Sequence, residues 1–257
     1  MANVWKGEPF GLYRPEFEHS ACGVGVVANV RGVKSNEIVR NGLEVLTNLA
    51  HRGAAGSDPE TGDGAVMLRQ MPHDFLRRET AKLGIDLPGP GGYATGVVFL
   101  PQDSAEREAC EAIVVRAIEQ EGQRFLGWRD VPVDPTVIGY VARECQPVIR
   151  QLFIGMAPGS DSAAFERKLF VIRKVAEREV LDAGLVDGGD FYVCSLSSKL
   201  IVYKGLLMGT QLGGFYKDLA DPLVASSFAL VHSRFSTNTL GSWKLAHPYR
   251  YIVHNGE

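Results

Sequence analysis

What this chain can become is set first by the order of its apolar runs. β-Branched and aromatic residues gather at 22–30, 65–71, 93–100, 125–131, 148–156, 191–196 and 200–203. Short runs of this kind, bounded by Gly, Pro, Asn or Asp, read as strands. Between them lie stretches with helical spacing. After Ser35, a candidate N-cap, Ile38, Val39, Leu43, Leu46, Leu49 and Ala50 share one face, and Gly53 closes the helix. Phe75, Leu76 and Leu83 predict the inner face of a short helix after Pro72, stopped by Gly84. Asp103 with Glu106 resembles a capping box, opening a helix with Ala109, Ala112, Ile113 and Ala117 inside and Gly122 at its end. The longest pattern, Phe165, Leu169, Ile172, Val175, Ala176 and Leu181, runs from a cap at Asp161 or Ser162 to Gly184. No internal repeat or low-complexity linker breaks the alternation. The expectation is one α+β domain with a mixed, mainly antiparallel sheet system and hairpin-like strand pairs such as 190–206.

Composition narrows the class of partner. The 257 residues are 45% hydrophobic and 22% charged, with a net charge of −3 and both signs interspersed. Such a chain has no electrostatic footprint for nucleic acid or an acidic membrane surface, and a small molecule is the better substrate class. No apolar run is long enough for a membrane span, and residues 1–11 lack the order of a secretory signal. The expected location is the cytoplasm. The four cysteines, Cys22, Cys110, Cys145 and Cys194, show no C-x-x-C spacing, and the six histidines form no tight ligand pair. Neither a metal site nor a disulfide framework is expected.

Cys22 stands between a polar leader and an apolar strand, which makes it the candidate nucleophile. A thiol has a pKa of roughly 8.5 and needs a base to react quickly at neutral pH. If the bond before Cys22 is cut, its own α-amino group, with a pKa of about 7.7–8.0, supplies that base. Residues 1–21, with Pro9 and Pro15 and no sustained period, would then be a cleavable pro-segment. Locally, the commoner fate of such a cysteine is the core. Gly23, Gly25 and Ala28 also fit a dinucleotide fingerprint, but a β-branched run follows them where that motif opens a helix. Elsewhere, the stretch 51–64 is too rich in turn formers to continue a helix, and by itself it reads as a solvated turn or as backbone brought close to something. Near the end, polar residues crowd 231–239 and 254–257, beyond apolar runs.

Four blocks decide among these readings: Ala21-Cys22-Gly23-Val24-Gly25; His51-Arg52-Gly53-Ala54 through Thr61-Gly62-Asp63-Gly64-Ala65; His232 to Thr239; and His254-Asn255-Gly256-Glu257. With them the chain resembles the N-terminal glutaminase domain of the glutamate synthase large subunit, a class II glutamine amidotransferase of the N-terminal-nucleophile (Ntn) type. Weaker likeness at Gly127-Trp128-Arg129, Val131-Pro132 and Val202-Tyr203-Lys204-Gly205 fills the gaps.

The resemblance implies an αββα four-layer sandwich over 22–257, truncated at its C-terminal end, after a pro-segment at 1–21. It implies that Cys22 attacks the side-chain amide of L-glutamine, with its α-amino group as base and a γ-glutamyl thioester as intermediate. Asn255 and Gly256 would be the oxyanion donors. Arg234 would pair with the substrate α-carboxylate, Thr237 and Asn238 would lie at the substrate, and Arg52 and Asp63 would support the site. FMN and an iron–sulfur cluster would belong to an absent synthase region that makes glutamate from 2-oxoglutarate, fed by an electron-donating subunit or ferredoxin. The fragment by itself is expected to be inactive. The chain departs from the family pattern at Val66, where Gly is usual, at Gly241, where many members have Pro, and at His247, where many have Gln. Another class II amidotransferase, or a non-catalytic module with a structural Cys22, remain the competing readings; a dyad using His19 or His254 is the alternative chemistry.

Overall fold

The computed structural model describes residues 23–185, 191–234, 241–246 and 249. Among these residues eight strands form two four-stranded sheets. The first sheet has the order β1-β8-β2-β7, with β1 at Val24–Ala28, β2 at Ala65–Gln70, β7 at Leu200–Gly205 and β8 at Phe228–Ser233. The second has the order β4-β5-β3-β6, with β3 at Tyr93–Leu100, β4 at Arg124–Asp130, β5 at Val148–Gly155 and β6 at Tyr192–Val193. Every described pairing between these strands is antiparallel.

The helices cover faces whose side chains alternate. In the second sheet Ala94, Val98, Leu100, Leu152 and Ile154 pack against α3 (Ser104–Gln120) and α5 (Ser162–Asp182). On the opposite side Val97, Phe99, Ile149 and Phe153 join one core with Ala65, Met67, Tyr203, Ala229 and Val231 of the first sheet. α1 (Asn36–Asn48) sits on β1 and β8 through Gly25 and Gly42: a Cβ at Gly42 would come within 2.8 Å of the Ala229 Cβ, so the helix can approach this closely only without a side chain there. α2 (His73–Ala81) buries Phe75 and Leu76 in the same core.

A buried polar network ties the sheets together. Arg129 of β4 donates to both carboxylate oxygens of Asp218 at 2.7 and 2.9 Å and to Gln151 Oε1 of β5 at 2.8 Å. The Tyr203 hydroxyl of β7 donates to the same carboxylate at 2.7 Å, and its ring stacks on Tyr216 at 4.7 Å. Burial first, and then the Asp218 carboxylate, push the Tyr203 hydroxyl well above its ordinary pKa, so it stays a donor at any working pH.

Several expectations need correction. The apolar run at 22–30 has the character of a buried strand, yet β1 lies at the edge of its sheet and Val26 is 63% exposed. α1 stops at Asn48, with Leu49 as C-cap and a 3₁₀ turn at Ala50–Arg52, so Leu49 and Ala50 lie past the helix and Gly53 does not end it. Leu83 and Leu181 are 53% and 62% exposed. The buried face of α3 is Cys110, Ile113, Val114, Ala117 and Ile118, leaving Ala112 exposed, and α5 buries Val180 in place of Leu181. The pair at 190–206 is not a hairpin. β6 is short and pairs with β3, whereas β7 pairs with β2 in the other sheet. Between them the chain is turned by Glu166, whose carboxylate accepts from the Ser198 N–H at 2.7 Å and from the Ser197 hydroxyl at 3.1 Å.

Candidate active site

The antiparallel register brings four strand ends to one end of the first sheet. Val24 opens β1 opposite His232, Ser233 closes β8 opposite Ala65, and Ala65 opens β2 opposite Gly205, the last residue of β7. The Ser233 N–H donates to the Gly23 carbonyl at 2.8 Å, which extends the pairing to the first described residue. Segments far apart in sequence therefore meet here: the stretch after Cys22, the glycine-rich loop before β2, and the residues after β8.

The loop at 53–64 is itself a small hairpin. Ala55 and Gly62 form an antiparallel bridge, the Asp63 N–H donates to the Ala54 carbonyl at 2.9 Å, and the Gly56 N–H to the Thr61 carbonyl at 3.0 Å. Its base is paired to the chain beyond β8. The Ala54 N–H reaches the Arg234 carbonyl at 3.3 Å, and the Arg234 N–H reaches the Gly64 carbonyl at 2.8 Å. Close approach explains two glycines. A Cβ at Gly53 would lie 2.6 Å from Ser233 Oγ, and Gly64 has φ +149°, where a Cβ would stand 2.9 Å from the Ala246 Cβ and 3.3 Å from the Arg234 Cβ. The isolated reading of this loop as a solvated turn does not hold, because Asp58 and Thr61 are buried.

Arg234 and Asp63 meet inside this arrangement. Arg234 Nη1 donates to Asp63 Oδ1 at 2.7 Å and to the Asp63 carbonyl at 3.3 Å, and both side chains are nearly buried. Gly241 packs against that carboxylate, where a Cβ would stand 2.8 Å from Oδ1. A guanidinium held in this way presents a planar, fixed positive group at the sheet end, a shape suited to a carboxylate. Arg52 is half-buried in the 3₁₀ turn at the mouth of the loop, its N–H donating to Leu49 at 2.8 Å. Of the other candidates, Cys22, Thr237, Asn238, Asn255 and Gly256 lie outside the described residues, as do His19, His247 and His254 and the whole of 1–21.

The structure adds residues that periodicity did not single out. Lys204 is fully buried, donates to the Lys244 carbonyl at 2.6 Å, and stands 4.9 and 4.8 Å from the ring centres of Tyr192 and Tyr249. Trp243 packs edge-on to Phe99 at 5.8 Å and against Phe215 at 5.5 Å, while its indole N–H donates to the Ala142 carbonyl at 3.1 Å. Gly205 makes room for it, since a Cβ there would meet the indole at 2.5 Å. A lysine directly after the apolar run 200–203 was the available signal for the first, and the second stands in the polar C-terminal stretch that follows residues 231–239. Among the described residues no group of three or more His, Cys, Asp or Glu side chains could hold a metal ion. No helix among them is long and apolar enough to cross a membrane.

The family described as Glutamine amidotransferases class-II matches residues 22–257. The chain is 53% identical over 248 residues to the glutamate synthase (NADPH) large chain of Bacillus subtilis, which covers 96% of this chain and 16% of that protein. It is 42% identical over 240 residues to the chloroplastic ferredoxin-dependent glutamate synthase of Oryza sativa, covering 93% of this chain and 15% of that protein. It is also 42% identical over 257 residues to the glutamate synthase (NADH) of Saccharomyces cerevisiae, covering 96% and 12%. The chain thus spans a small part of each relative's length. The two antiparallel sheets with their flanking helices are an Ntn-hydrolase αββα architecture, and the chain belongs to the class-II glutamine amidotransferases.

Proposed function

We propose that this chain is the glutaminase part of a glutamate synthase large chain, and that it releases ammonia from L-glutamine through Cys22. The observation that carries the reading is the convergence of β1, the 53–64 loop and Arg234 at one sheet end, where Val24 lies opposite His232 and the Gly23 carbonyl accepts from the N–H of Ser233, the neighbour of Arg234. Residues 1–21 are the pro-segment in this proposal, and 22–257 the amidotransferase domain.

The chemistry follows from the residue types. The free α-amino group of Cys22 takes the thiol proton, and the sulfur forms a bond to the side-chain amide carbon of glutamine. The Asn255 side-chain amide and the Gly256 backbone N–H hold the resulting oxyanion, an interaction worth several kcal/mol in a preorganised site. The α-ammonium returns its proton to the amide nitrogen, the carbon–nitrogen bond breaks, and ammonia leaves a γ-glutamyl thioester. Water hydrolyses the thioester to glutamate and restores the thiol. Arg234 pairs with the substrate α-carboxylate, Thr237 and Asn238 line the substrate, and Arg52 and Asp63 support them.

In the same reading the ammonia passes to a synthase region of the large chain, where it is used with 2-oxoglutarate to make glutamate. FMN and an iron–sulfur cluster belong to that region in this proposal. Electrons come from NADPH, NADH or ferredoxin through a partner, and the enzyme works in the cytoplasm. Cys22→Ala in the full-length protein is expected to abolish glutamine-dependent ammonia release while leaving the fold intact by circular dichroism. Undiminished release would remove Cys22 from the reaction.

A further inference from the structure

The tip of the 53–64 loop is anchored to a part of the chain that the catalytic proposal does not use. Asp58 and Thr61 reach α4 (Tyr140–Glu144), a short helix whose own N-cap, Gly139, contributes no side-chain bond. Asp58 Oδ2 accepts from the Thr61 hydroxyl at 2.7 Å and from the Val141 N–H at 3.3 Å, while its Oδ1 accepts from the Glu60 N–H at 3.1 Å. Thr61 Oγ accepts in turn from the Ala142 N–H at 3.2 Å. Two residues from the loop therefore cap a helix some eighty positions away in sequence, a job normally done by a residue next to it.

Two further observations point the same way. A Cβ on Gly139 would overlap both Asp58 Oδ2 and Thr61 Oγ, so this position has to stay bare for the loop tip to dock. The carbonyl of Glu60, at the same tip, accepts from the Gly139 N–H at 2.9 Å and from the Gln211 side-chain amide at 2.7 Å. α4 is also gripped from its other side, where Ala142 accepts the Trp243 indole N–H in the segment that follows Arg234. Loop tip, α4 and segment 241–246 are thus hydrogen-bonded into one frame, and Gly241 of that segment packs on Asp63 of the Arg234–Asp63 pair.

We propose that Thr61 and Asp58, with Gly139 as their seat, are positioning residues of the glutamine site: they fix the loop hairpin so that Asp63 holds Arg234 in the orientation that reads the substrate carboxylate. This rests on the functional reading above. The chain of contacts runs from the α4 N-terminus through Thr61 and the Ala55–Gly62 bridge to Asp63 and then Arg234. Loosening its far end acts on substrate recognition before it acts on the reacting atoms.

The test is a set of variants in the full-length protein. Thr61→Val keeps the shape and removes both hydrogen bonds; Thr61→Ser keeps the hydroxyl; Gly139→Ala attacks the same contact from the opposite side. Thr61→Val and Gly139→Ala are each expected to raise the glutamine KM about tenfold with a smaller change in kcat, a displacement well under 1 Å being enough for that. Thr61→Ser stays within about twofold of wild type on the same argument. Amide hydrogen exchange in the same samples is expected to quicken at Asp63, Val141 and Ala142 in the first two variants. Faster exchange with an unchanged KM overturns the positioning role; unchanged exchange overturns the anchor itself. Wild-type protein that releases no ammonia from glutamine refutes the functional reading instead, and exchange still decides the anchor. If Thr61→Val does not fold, Gly139→Ala carries the comparison.

Discussion

Arg234 is partly committed before any ligand arrives, because one arm of its guanidinium is spent on Asp63 at 2.7 Å in a setting that little water reaches. A lysine is a point charge and cannot hold an internal carboxylate and a substrate carboxylate in one plane. On the proposed reading, Arg234→Lys raises the glutamine KM on the order of tenfold or more with a smaller effect on kcat, measured by steady-state kinetics on the processed enzyme. An unchanged KM would take Arg234 out of the site. The sequence shows both residues in separate blocks and the resemblance implies a role for each, but not the bond between them. The bond depends on β8 and β2 lying side by side, with Ala65 opposite Ser233, which no local pattern encodes. Asp58 and Thr61 were less legible still: a loop full of turn formers looks the same whether its tip is solvated or capping a distant helix.

Among the elements, those whose ends are written in their own side chains were read most closely. Ser35, Asp103 and Asp161 each accept from a backbone N–H in the first turn of the helix they precede, as their spacing predicted. What failed was the angular setting of the buried faces, as with Ala112 and Leu181, because a helix rotates to suit the sheet it covers as well as its own pattern. The short elements escaped altogether. α4, α6 (Leu212–Phe215) and the 3₁₀ turn Lys217–Ala220 are too brief to show a period, and they are held by contacts from elsewhere. The last of these matters, since it delivers Asp218 to Arg129 of one sheet and Tyr203 of the other. Asp218→Ala removes both charge-assisted bonds of the buried Arg129 guanidinium, leaving it Gln151 and a Glu79 carboxylate 4.0 Å away, and is expected to lower stability by about 3 kcal/mol in denaturant unfolding. A loss under about 1 kcal/mol, the range of a surface pair, would mean that the network does not join the sheets.

For the molecule as a whole, the two sheets and the one loaded sheet end follow from a connectivity that periodicity does not contain. β6 and β7 are neighbours in sequence but part into different sheets, and β1 pairs with a strand at the far end of the described chain. The resemblance carried by the four blocks implies a sandwich of two sheets, where residue patterns alone predict one domain with a mixed, mainly antiparallel sheet system, and neither contains these pairings. The convergence of β1, the anchored loop and Arg234 is also what supports the proposed N-terminal-cysteine mechanism, since a nucleophile ahead of β1 would be useful only beside groups that read the substrate. The most direct measurement is an acid quench of the full-length, natively produced protein during turnover of glutamine, followed by mass analysis of its N-terminal peptide. The account predicts a peptide that begins at Cys22 and carries a γ-glutamyl group on sulfur, absent without glutamine. Ammonia release from a protein whose N-terminal peptide still holds residues 1–21, or carries no such group, would contradict it.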